Sequence, residues 1–312
     1  MNKKKIVFYT GVLFLSIGTL YNFKMSKDVK FVEARNMIVS ESDISKISLV
    51  AHRGLSSEEV PNSKEAITKS ANSDYVSGVE FDVRLTKDGQ PVLAHGDKFK
   101  NNDNEIRNIS KSTLEELNNT KSKVINSHES FSNMLKDLFS ITDMSCIRMQ
   151  RMNSVGKKTG AFITLDETME IIDDKKKMYI ELKFNNNYIE LSSKVVKVLE
   201  KYPNADFIIQ CNNYEDLRKM QKDYPEYKYQ IIINEEKDLV YLNADFDGYA
   251  IKYTLIDYDI IKEKIKQGKD ISIWTINDLD EFDDIINYMG KYSHSVNYIT
   301  DYPDCLNYQY TK

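Results

Sequence analysis

Two stretches of the chain decide the fold: Ile47-Ser48-Leu49-Val50-Ala51-His52-Arg53-Gly54 and Val79-Glu80-Phe81-Asp82-Val83-Arg84-Leu85. Residues 47–51 and 79–85 are rich in β-branched and apolar side chains, which predicts two strands. Between them, residues 63–71 have a helical composition, and Asn62 or Ser63 is placed to cap that helix. A strand-helix-strand crossover is right-handed and makes its strands parallel, so the sequence predicts one repeat of a parallel α/β sheet.

The polar residues of this unit gather at one end of the predicted sheet. His52 and Arg53 come directly after the first strand, at its carboxyl end. Glu80 and Asp82 are two residues apart on the second strand, so their side chains point to the same face. Carboxylates on one face offer the hard oxygen ligands that Mg²⁺ and Ca²⁺ prefer. The pattern therefore predicts a divalent metal site at this end.

A turn after the second strand brings in a second histidine. Lys87-Asp88-Gly89-Gln90 is a strong turn signal, and folding back there places His95 opposite residues 80–82. Taken singly, these elements also fit a capped loop, a solvated strand face and a hairpin turn without chemistry. Because all of them fall in order within residues 51–95, the combination favours one active site.

The alternation of strands and helices continues to the end of the chain. Eight strands are predicted, at residues 47–51, 79–85, 178–183, 206–210, 229–233, 248–252, 271–275 and 297–300. Helical segments separate most of them, at residues 189–201, 214–223, 258–267 and 279–288. This pattern predicts a (β/α)8 TIM barrel, an α/β fold whose active sites lie at the carboxyl ends of the strands. Asp301 follows the last strand at that same end, where a structural ion pair and a direct role fit equally well.

The motifs resemble those of the glycerophosphodiester phosphodiesterase family, over roughly residues 47–304. The shared features are a His-Arg-Gly start, a Glu-x-Asp strand, a Thr-x-Asp-Gly turn and a following histidine. Three later strands also resemble the family: Met178-Tyr179-Ile180-Glu181-Leu182-Lys183, Ile271-Ser272-Ile273-Trp274-Thr275-Ile276-Asn277 and Tyr298-Ile299-Thr300-Asp301-Tyr302-Pro303.

The resemblance implies roles for individual residues. Metal ligands would be Glu80, Asp82 and Glu181, holding Mg²⁺ or Ca²⁺. The general acid and base would be His52 and His95, in an order that the sequence leaves open. Contacts to the substrate would come from Arg53 and Lys183 at the phosphate and from Trp274 at the glycerol or alcohol portion.

Two departures from the family pattern lie close to these residues. Where the family reads Pro-Glu-Asn-Thr, this chain has Val60-Pro61-Asn62-Ser63, so proline replaces the glutamate. Where the family reads His-Asp, this chain has His95-Gly96-Asp97. The second change affects the orientation of His95, since the partner of a histidine fixes its tautomer. Asp97 is the expected substitute, one residue later.

The amino-terminal 24 residues predict a membrane-targeting segment, either a signal peptide or a signal-anchor. Lys3-Lys4-Lys5 precedes an uncharged, mostly apolar run of 16 residues, 6–21, a little shorter than the roughly 20 that span a bilayer. A signal peptide and a signal-anchor both fit, and the poor cleavage site Ser16-Ile17-Gly18 favours the anchor. Positively charged residues that flank a membrane segment stay on the cytoplasmic side. We therefore expect the catalytic domain on the extracytoplasmic side of the cell membrane, or secreted after cleavage. Residues 25–46 are expected to form a polar tether.

The remaining chain, residues 47–312, is expected to form one barrel with a rim insertion at about 121–158, where the barrel pattern lapses. A formal charge of −5 and the lack of a basic repeat argue against a nucleic-acid partner. The three cysteines show neither metal-ligand spacing nor the pattern of a disulfide framework. The oligomeric state is not encoded in any pattern of this sequence.

The expected function is metal-dependent hydrolysis of glycerophosphodiesters to an alcohol and glycerol 3-phosphate. Two enzyme alternatives remain open, a lysophospholipase D acting on lysophospholipids and a polyglycerolphosphate hydrolase of the teichoic-acid type. A barrel that binds glycerol-phosphate ligands without catalysis is the alternative from a different class, because the sequence departs from the family around Pro61 and Gly96.

Overall fold

The computed structural model describes residues 47–101, 103–123, 159–184 and 187–310, all within one compact unit. The predicted membrane signal and tether, at residues 1–46, lie outside the described residues, as does most of the predicted rim insertion. Among the described helices, none combines the length and apolar character that crossing a membrane requires.

Thirteen strands are formed by the described residues. In chain order they are β1 Ser48–His52, β2 Gly78–Leu85, β3 Pro91–Leu93, β4 Lys98–Lys100, β5 Ile106–Asn108, β6 Lys121–Lys123, β7 Thr159–Ala161, β8 Lys177–Leu182, β9 Phe207–Cys211, β10 Tyr229–Ile233, β11 Gly248–Lys252, β12 Asp270–Trp274 and β13 Val296–Thr300. Eight of these, β1, β2 and β8 to β13, pair in parallel, and β1 pairs with both β2 and β13. The sheet therefore closes on itself, and the predicted (β/α)8 barrel is confirmed.

Eight α-helices accompany the strands. They are α1 Lys64–Ala71, α2 Leu114–Asn118, α3 Leu165–Ile172, α4 Tyr188–Leu199, α5 Tyr214–Asp223, α6 Tyr258–Lys266, α7 Leu279–Met289 and α8 Pro303–Tyr310. The start of α1 is fixed by Ser63, whose hydroxyl accepts a hydrogen bond from the Ala66 N–H. Between β10 and β11 the crossover is a 3₁₀ segment, Glu236–Asn243, in place of an α-helix.

A small antiparallel sheet lies outside the barrel, after β3. Strand β3 pairs antiparallel with β2, which is the hairpin that the turn at residues 87–90 predicts. Strands β4 to β7 then form a four-stranded sheet in the order β5-β4-β6-β7. Phe99 of this sheet packs in an apolar cluster with Val92 of β3, Leu117 of α2 and Ile109. The chain therefore leaves the barrel pattern well before residue 121.

The barrel interior is layered. A polar layer joins Gln210 to Gln230, and Gln230 donates to the Asp270 carboxylate at 3.1 Å. Lys177 forms an ion pair with Asp270. Beside it lies an apolar layer of Val50, Tyr179, Ile208 and Ile299, against which Trp274 packs. The functional side chains lie at the carboxyl ends of the strands.

The spacing of the cysteines did not predict a disulfide, but the structure contains one. Cys305 in α8 is disulfide-bonded, whereas Cys211 is a buried free thiol. Because Cys211 is free, the partner of Cys305 lies outside the described residues.

Candidate active site

Three carboxylates meet where β1, β2 and β8 end. The register pairs His52 with Glu80 and Asp82 with Glu181, so the barrel itself aligns them. One oxygen from each of Glu80, Asp82 and Glu181 lies within 4.8 Å of the others. The structure thus brings together the three acidic residues that the sequence analysis assigned to a metal.

The turn after β1 presents a backbone N–H to this cluster. Arg53 and Gly54 have φ angles of 57° and 76°, in the left-handed region where glycine is favoured. In this conformation the Arg53 N–H donates to Glu80 Oε2 at 2.9 Å. A Cβ atom on Gly54 would lie 2.7 Å from the backbone carbon of Ala66 in α1. The glycine is therefore required both for the turn and for its close packing on the helix.

Two cations flank the buried Asp82. Arg53 Nε lies 3.3 Å from Asp82 Oδ2, and Lys183 Nζ lies 3.0 Å from Asp82 Oδ1 and also contacts Glu181. Although burial opposes ionisation, Lys183 and Arg53 hold the pKa of the Asp82 carboxyl far below its usual value. Burial also works against the two cations, but Asp82 raises the pKa of both. Asp82 is therefore a carboxylate and its two partners are charged.

The pKa values of the other two carboxyls, Glu80 and Glu181, are shifted upward, in the opposite direction to that of Asp82. Burial, together with the nearby charge of Asp82, raises the pKa of Glu80 well above its usual value. Burial raises the pKa of Glu181 to about 7, with Lys183 acting against the shift. Like charges this close disfavour full ionisation unless a cation is added. The all-oxygen donor set and this excess of buried acid both fit a bound Mg²⁺ or Ca²⁺.

His52 is held by the residue that directly follows the last strand of the barrel. Its Nδ1 lies 2.7 Å from Asp301 Oδ1, and its Nε2 lies 3.9 Å from Glu80 Oε2. The carboxylate of Asp301 also accepts hydrogen bonds from Ser56 Oγ at 3.0 Å and Asn277 Nδ2 at 2.5 Å. Burial opposes the charge of Asp301, but His52 holds its pKa far below the usual value. From the sequence alone, a structural ion pair and a direct role fitted Asp301 equally well, and its position makes it the orienting partner of His52.

His95 lies at the exposed rim of the same pocket. Partial loss of water lowers the pKa of His95 to about 4, and the cations Arg53 and Lys183 add to the shift while Asp82 opposes it. The expected partner, Asp97, does not hold the imidazole. Its carboxylate instead accepts from Asn108 Nδ2 at 2.5 Å and from the Ser110 N–H at 2.8 Å. With the extra residue Gly96 in the chain, the Asp97 carboxyl bonds the 3₁₀ segment Ile109–Lys111 and the residue before it.

Asn62 is a site residue that the sequence analysis considered only as a helix cap. Its Nδ2 donates to Asp82 Oδ2 at 2.8 Å, and its Oδ1 accepts from the Asp82 N–H at 3.1 Å. Asn62 adopts a φ of 60° to reach this position. The sequence contained a signal for this role. In the motif where Pro61 replaces the family's glutamate, the next residue of the family pattern, asparagine, is kept as Asn62.

The Thr86-Lys87-Asp88-Gly89 turn is structural in this chain. Thr86 Oγ1 donates to Asp88 Oδ1 at 2.6 Å, and the same oxygen accepts from the Leu114 N–H at 3.1 Å. Gly89 has a φ of 72°, as the turn requires. The motif therefore joins the β2–β3 hairpin to α2, and its contacts are with those two elements.

A cavity of about 360 Å³ opens above the carboxylates. Its ionic side consists of His52, Arg53, Glu80, His95, Glu181 and Lys183. Its other side is uncharged and consists of Gln210, Asn212, Ile232, Asn234, Ala250, Trp274 and Ile299. The Trp274 ring is fixed by a hydrogen bond from Nε1 to the Ala250 carbonyl at 3.1 Å. The pocket can therefore hold an anionic group on one side and a neutral, hydroxyl-bearing group on the other.

Known proteins of one family resemble this chain in sequence. The model of the "Glycerophosphoryl diester phosphodiesterase family" matches residues 52–304. A glycerophosphodiester phosphodiesterase of Caldanaerobacter subterraneus subsp. tengcongensis is 25% identical over 250 residues, which cover 77% of this chain and 90% of that protein.

Solved structures share the fold. A phosphodiesterase of Oleispira antarctica, solved with the product sn-glycerol-3-phosphate, matches with a TM-score of 0.62 and 20% identity, over 88% of this chain and 98% of that one. A glycerophosphodiester phosphodiesterase of Thermotoga maritima matches with a TM-score of 0.58 and 22% identity, over 85% and 98% of the two chains. At these identities the likeness concerns the fold.

Proposed function

The chain belongs to the glycerophosphoryl diester phosphodiesterase family, and from this premise we propose that it hydrolyses glycerophosphodiesters to glycerol 3-phosphate and an alcohol. The observation that carries the proposal is the meeting of three carboxylates, two imidazoles and two cations around one pocket. A phosphodiester needs all three kinds of group, because its negative charge repels a nucleophile and its cleavage moves two protons.

The proposed metal ligands are Glu80, Asp82 and Glu181. A divalent ion held there, Mg²⁺ or Ca²⁺, would supply positive charge to the phosphate oxygens. Asn62 holds Asp82 in place by two hydrogen bonds, and the Arg53 N–H holds Glu80. These contacts fix the carboxylates independently of any ligand.

Arg53 and Lys183 are proposed to bind the phosphate. Both side chains line the pocket and lie against Asp82. Because each remains charged, they neutralise the negative charge that grows on the phosphoryl oxygens as the reaction proceeds. Their contacts with Asp82 also hold both cations at the edge of the carboxylate cluster.

His52 and His95 are proposed to divide the two proton transfers. One imidazole takes the proton from the attacking oxygen, whether that oxygen belongs to water or to the glycerol hydroxyl of the substrate, and the other gives a proton to the departing alcohol. Since His52 Nδ1 is bound to Asp301, Nε2 is the nitrogen that serves the site. Such proton transfers contribute roughly 10²- to 10⁴-fold to a rate.

The uncharged side of the pocket is proposed to receive the glycerol or alcohol portion. Trp274 gives it a flat apolar wall, and Gln210 and Asn234 offer amide groups for hydroxyls. The Nε2 group of Gln210 donates to Gln230, which leaves Gln210 Oε1 as the acceptor on this side.

A substrate panel tests the proposal. Glycerophosphocholine, lysophosphatidylcholine and a polyglycerolphosphate are each incubated with the purified protein and with Mg²⁺, Ca²⁺ or chelator. The proposal expects metal-dependent release of glycerol 3-phosphate from the first compound. Faster cleavage of the second or third identifies a lysophospholipase D or a polyglycerolphosphate hydrolase, which the predicted membrane signal favours. Tight binding without turnover in any metal identifies a non-catalytic barrel and refutes the proposal.

Location at the extracytoplasmic face of the cell membrane, or secretion, is part of the proposal. Its support is the Lys3-Lys4-Lys5 cluster before the apolar run at residues 6–21. The disulfide at Cys305 adds to it, because such bonds persist in oxidising compartments. Fractionation of cells with an antibody to the barrel domain tests it, and recovery in the cytosol would contradict it.

A further inference from the structure

One arginine forms two hydrogen bonds with the main chain of His95. The His95 carbonyl oxygen accepts two hydrogen bonds from Arg84, from Nε at 2.9 Å and from Nη2 at 2.7 Å. We propose that Arg84 is a positioning residue, which holds His95 over the carboxylate cluster by clamping the His95 backbone. This inference rests on the proposed function, in which His95 transfers a proton.

The segment that carries His95 is anchored on both sides of the clamp. Before it, the Ala94 N–H donates to the Asp82 carbonyl at 2.9 Å. After it, the Ile109 N–H donates to the Asp97 carbonyl at 2.7 Å. Residues 95 and 96 therefore cross the rim between two fixed points. Arg84 holds the middle of this crossing.

A backbone clamp is needed here because the imidazole has no carboxylate partner of its own. Within residues 47–101, 103–123, 159–184 and 187–310, the hydrogen bonds attach to the His95 carbonyl and not to its ring. The carboxylate of Asp97 is bonded to Asn108 and Ser110. Gly96 adds backbone freedom next to the histidine. Its φ is not positive and an added Cβ would meet only the Lys98 backbone, at 3.7 Å, so nothing in this conformation requires a glycine.

The position of Arg84 suits this task. It lies two residues beyond Asp82 on β2, so the same strand carries a proposed metal ligand and the clamp on the histidine. Val92 of β3 is its register partner, which places the guanidinium at the point where the chain leaves β3 for His95. The guanidinium of arginine is planar and rigid, so its Nε and Nη2 groups can both donate to one carbonyl oxygen, which the single amino group of lysine does not reproduce.

Arg84→Gln is the main test, with Arg107→Gln as the matched control. Arg107 is an exposed arginine of β5 and pairs with Glu105. We expect Arg84→Gln to lower kcat by about 10- to 100-fold, because small misplacements of a reacting group cost this much. KM and the metal affinity should change by less than about twofold, since Arg84 lies outside the pocket lining. Unchanged kcat, or a loss seen only in KM, overturns the inference.

A double-mutant cycle shows whether Arg84 acts through His95. In a His95→Ala background, Arg84→Gln should cause no further loss of kcat. An equal loss with and without His95 means that Arg84 serves the fold or another residue, and overturns the inference. Arg84→Lys, which keeps the charge and a single donor group, should fall between the wild type and Arg84→Gln, and it replaces Arg84→Gln if that variant does not fold.

A spectroscopic measurement separates this inference from the proposed function. The chain has four histidines, so the ring resonance of His95 is assigned by comparison with His95→Ala. Arg84→Gln should shift or broaden that resonance, whereas Arg107→Gln should not. An unchanged His95 resonance overturns the clamp even in an active enzyme. A wild type without hydrolysis refutes the proposed function and leaves this measurement as the decisive one for the clamp.

Discussion

His52 Nδ1 lies 2.7 Å from Asp301 Oδ1, a contact that joins the end of the first barrel strand to the residue that follows the last one. The bond uses one nitrogen of the imidazole and turns the other, Nε2, toward Glu80 at 3.9 Å. The closure of the barrel therefore places Asp301 beside His52, and this contact orients the imidazole. Ser56 and Asn277 hold the carboxylate in turn, at 3.0 and 2.5 Å.

Asp301→Asn tests this relationship. The amide keeps the shape of the side chain but removes the negative charge that fixes the imidazole, so kcat should fall by about 10- to 100-fold. Steady-state kinetics and thermal unfolding measure the effect on activity and on folding. The control is Asp245→Asn, a change at a highly exposed aspartate that pairs with Lys269. Full activity in Asp301→Asn would show that His52 does not depend on this carboxylate.

Asn62 is expected to matter for metal binding. Asn62→Gly removes both hydrogen bonds to Asp82 while glycine accepts the φ of 60° without strain. We expect a loss of about 10- to 100-fold in affinity for the divalent ion, measured by titration calorimetry. Asn72→Gly is the control, because the Asn72 side chain donates to the Thr68 carbonyl at the exposed end of α1. An affinity equal to that of the control would contradict the assignment.

Metal affinity should depend on pH. Glu181 has a pKa raised to about 7, and the pKa of Glu80 is raised as well, so below pH 7 the ion must displace protons from its ligands. The affinity therefore rises as the pH increases through 7 and falls as the pH drops below it. We expect it to be at least about tenfold weaker at pH 6 than at pH 8. Equal dissociation constants at the two pH values would rule out protonation of these carboxyls.

The polar layer inside the barrel should stabilise the fold. Gln230 is fully buried and joins Gln210 to Asp270. Gln230→Leu leaves the Gln210 amide without this partner and removes the hydrogen bond from Gln230 to Asp270, so the free energy of unfolding should fall by about 1–3 kcal/mol, measured by urea denaturation. The control, Gln267→Leu, changes an exposed residue whose side-chain amide donates to Glu263, and it should alter stability by less than about 0.5 kcal/mol. Equal stability of the two variants would mean that the layer is dispensable.

The barrel could be predicted from the sequence because each of its strands is a short apolar run. Buried parallel strands such as β10, Tyr229–Ile233, leave this signature wherever they occur. The cap of α1 was narrowed to Asn62 or Ser63 for a similarly local reason, and the structure gives Ser63. Strands β4 to β7 have only three residues each, too few for a period to be recognised.

The contacts that organise the site could not be predicted, because they join distant parts of the chain. Asp301 reaches His52 across 249 positions, and no local pattern records that pairing. Asn62 reads locally as a cap, and only the closed fold turns it onto Asp82. Asp97 was expected beside His95, but one inserted residue was enough to bond it to Asn108 and Ser110.

The central claim is that His52 and His95 act together with the carboxylate cluster in cleaving a phosphodiester. The most direct measurement is the release of glycerol 3-phosphate from a glycerophosphodiester by the wild type, His52→Ala and His95→Ala, each with and without divalent metal. We predict metal-dependent release by the wild type and a loss of about 10²-fold or more in either variant. Full metal-dependent release by both variants would contradict the account.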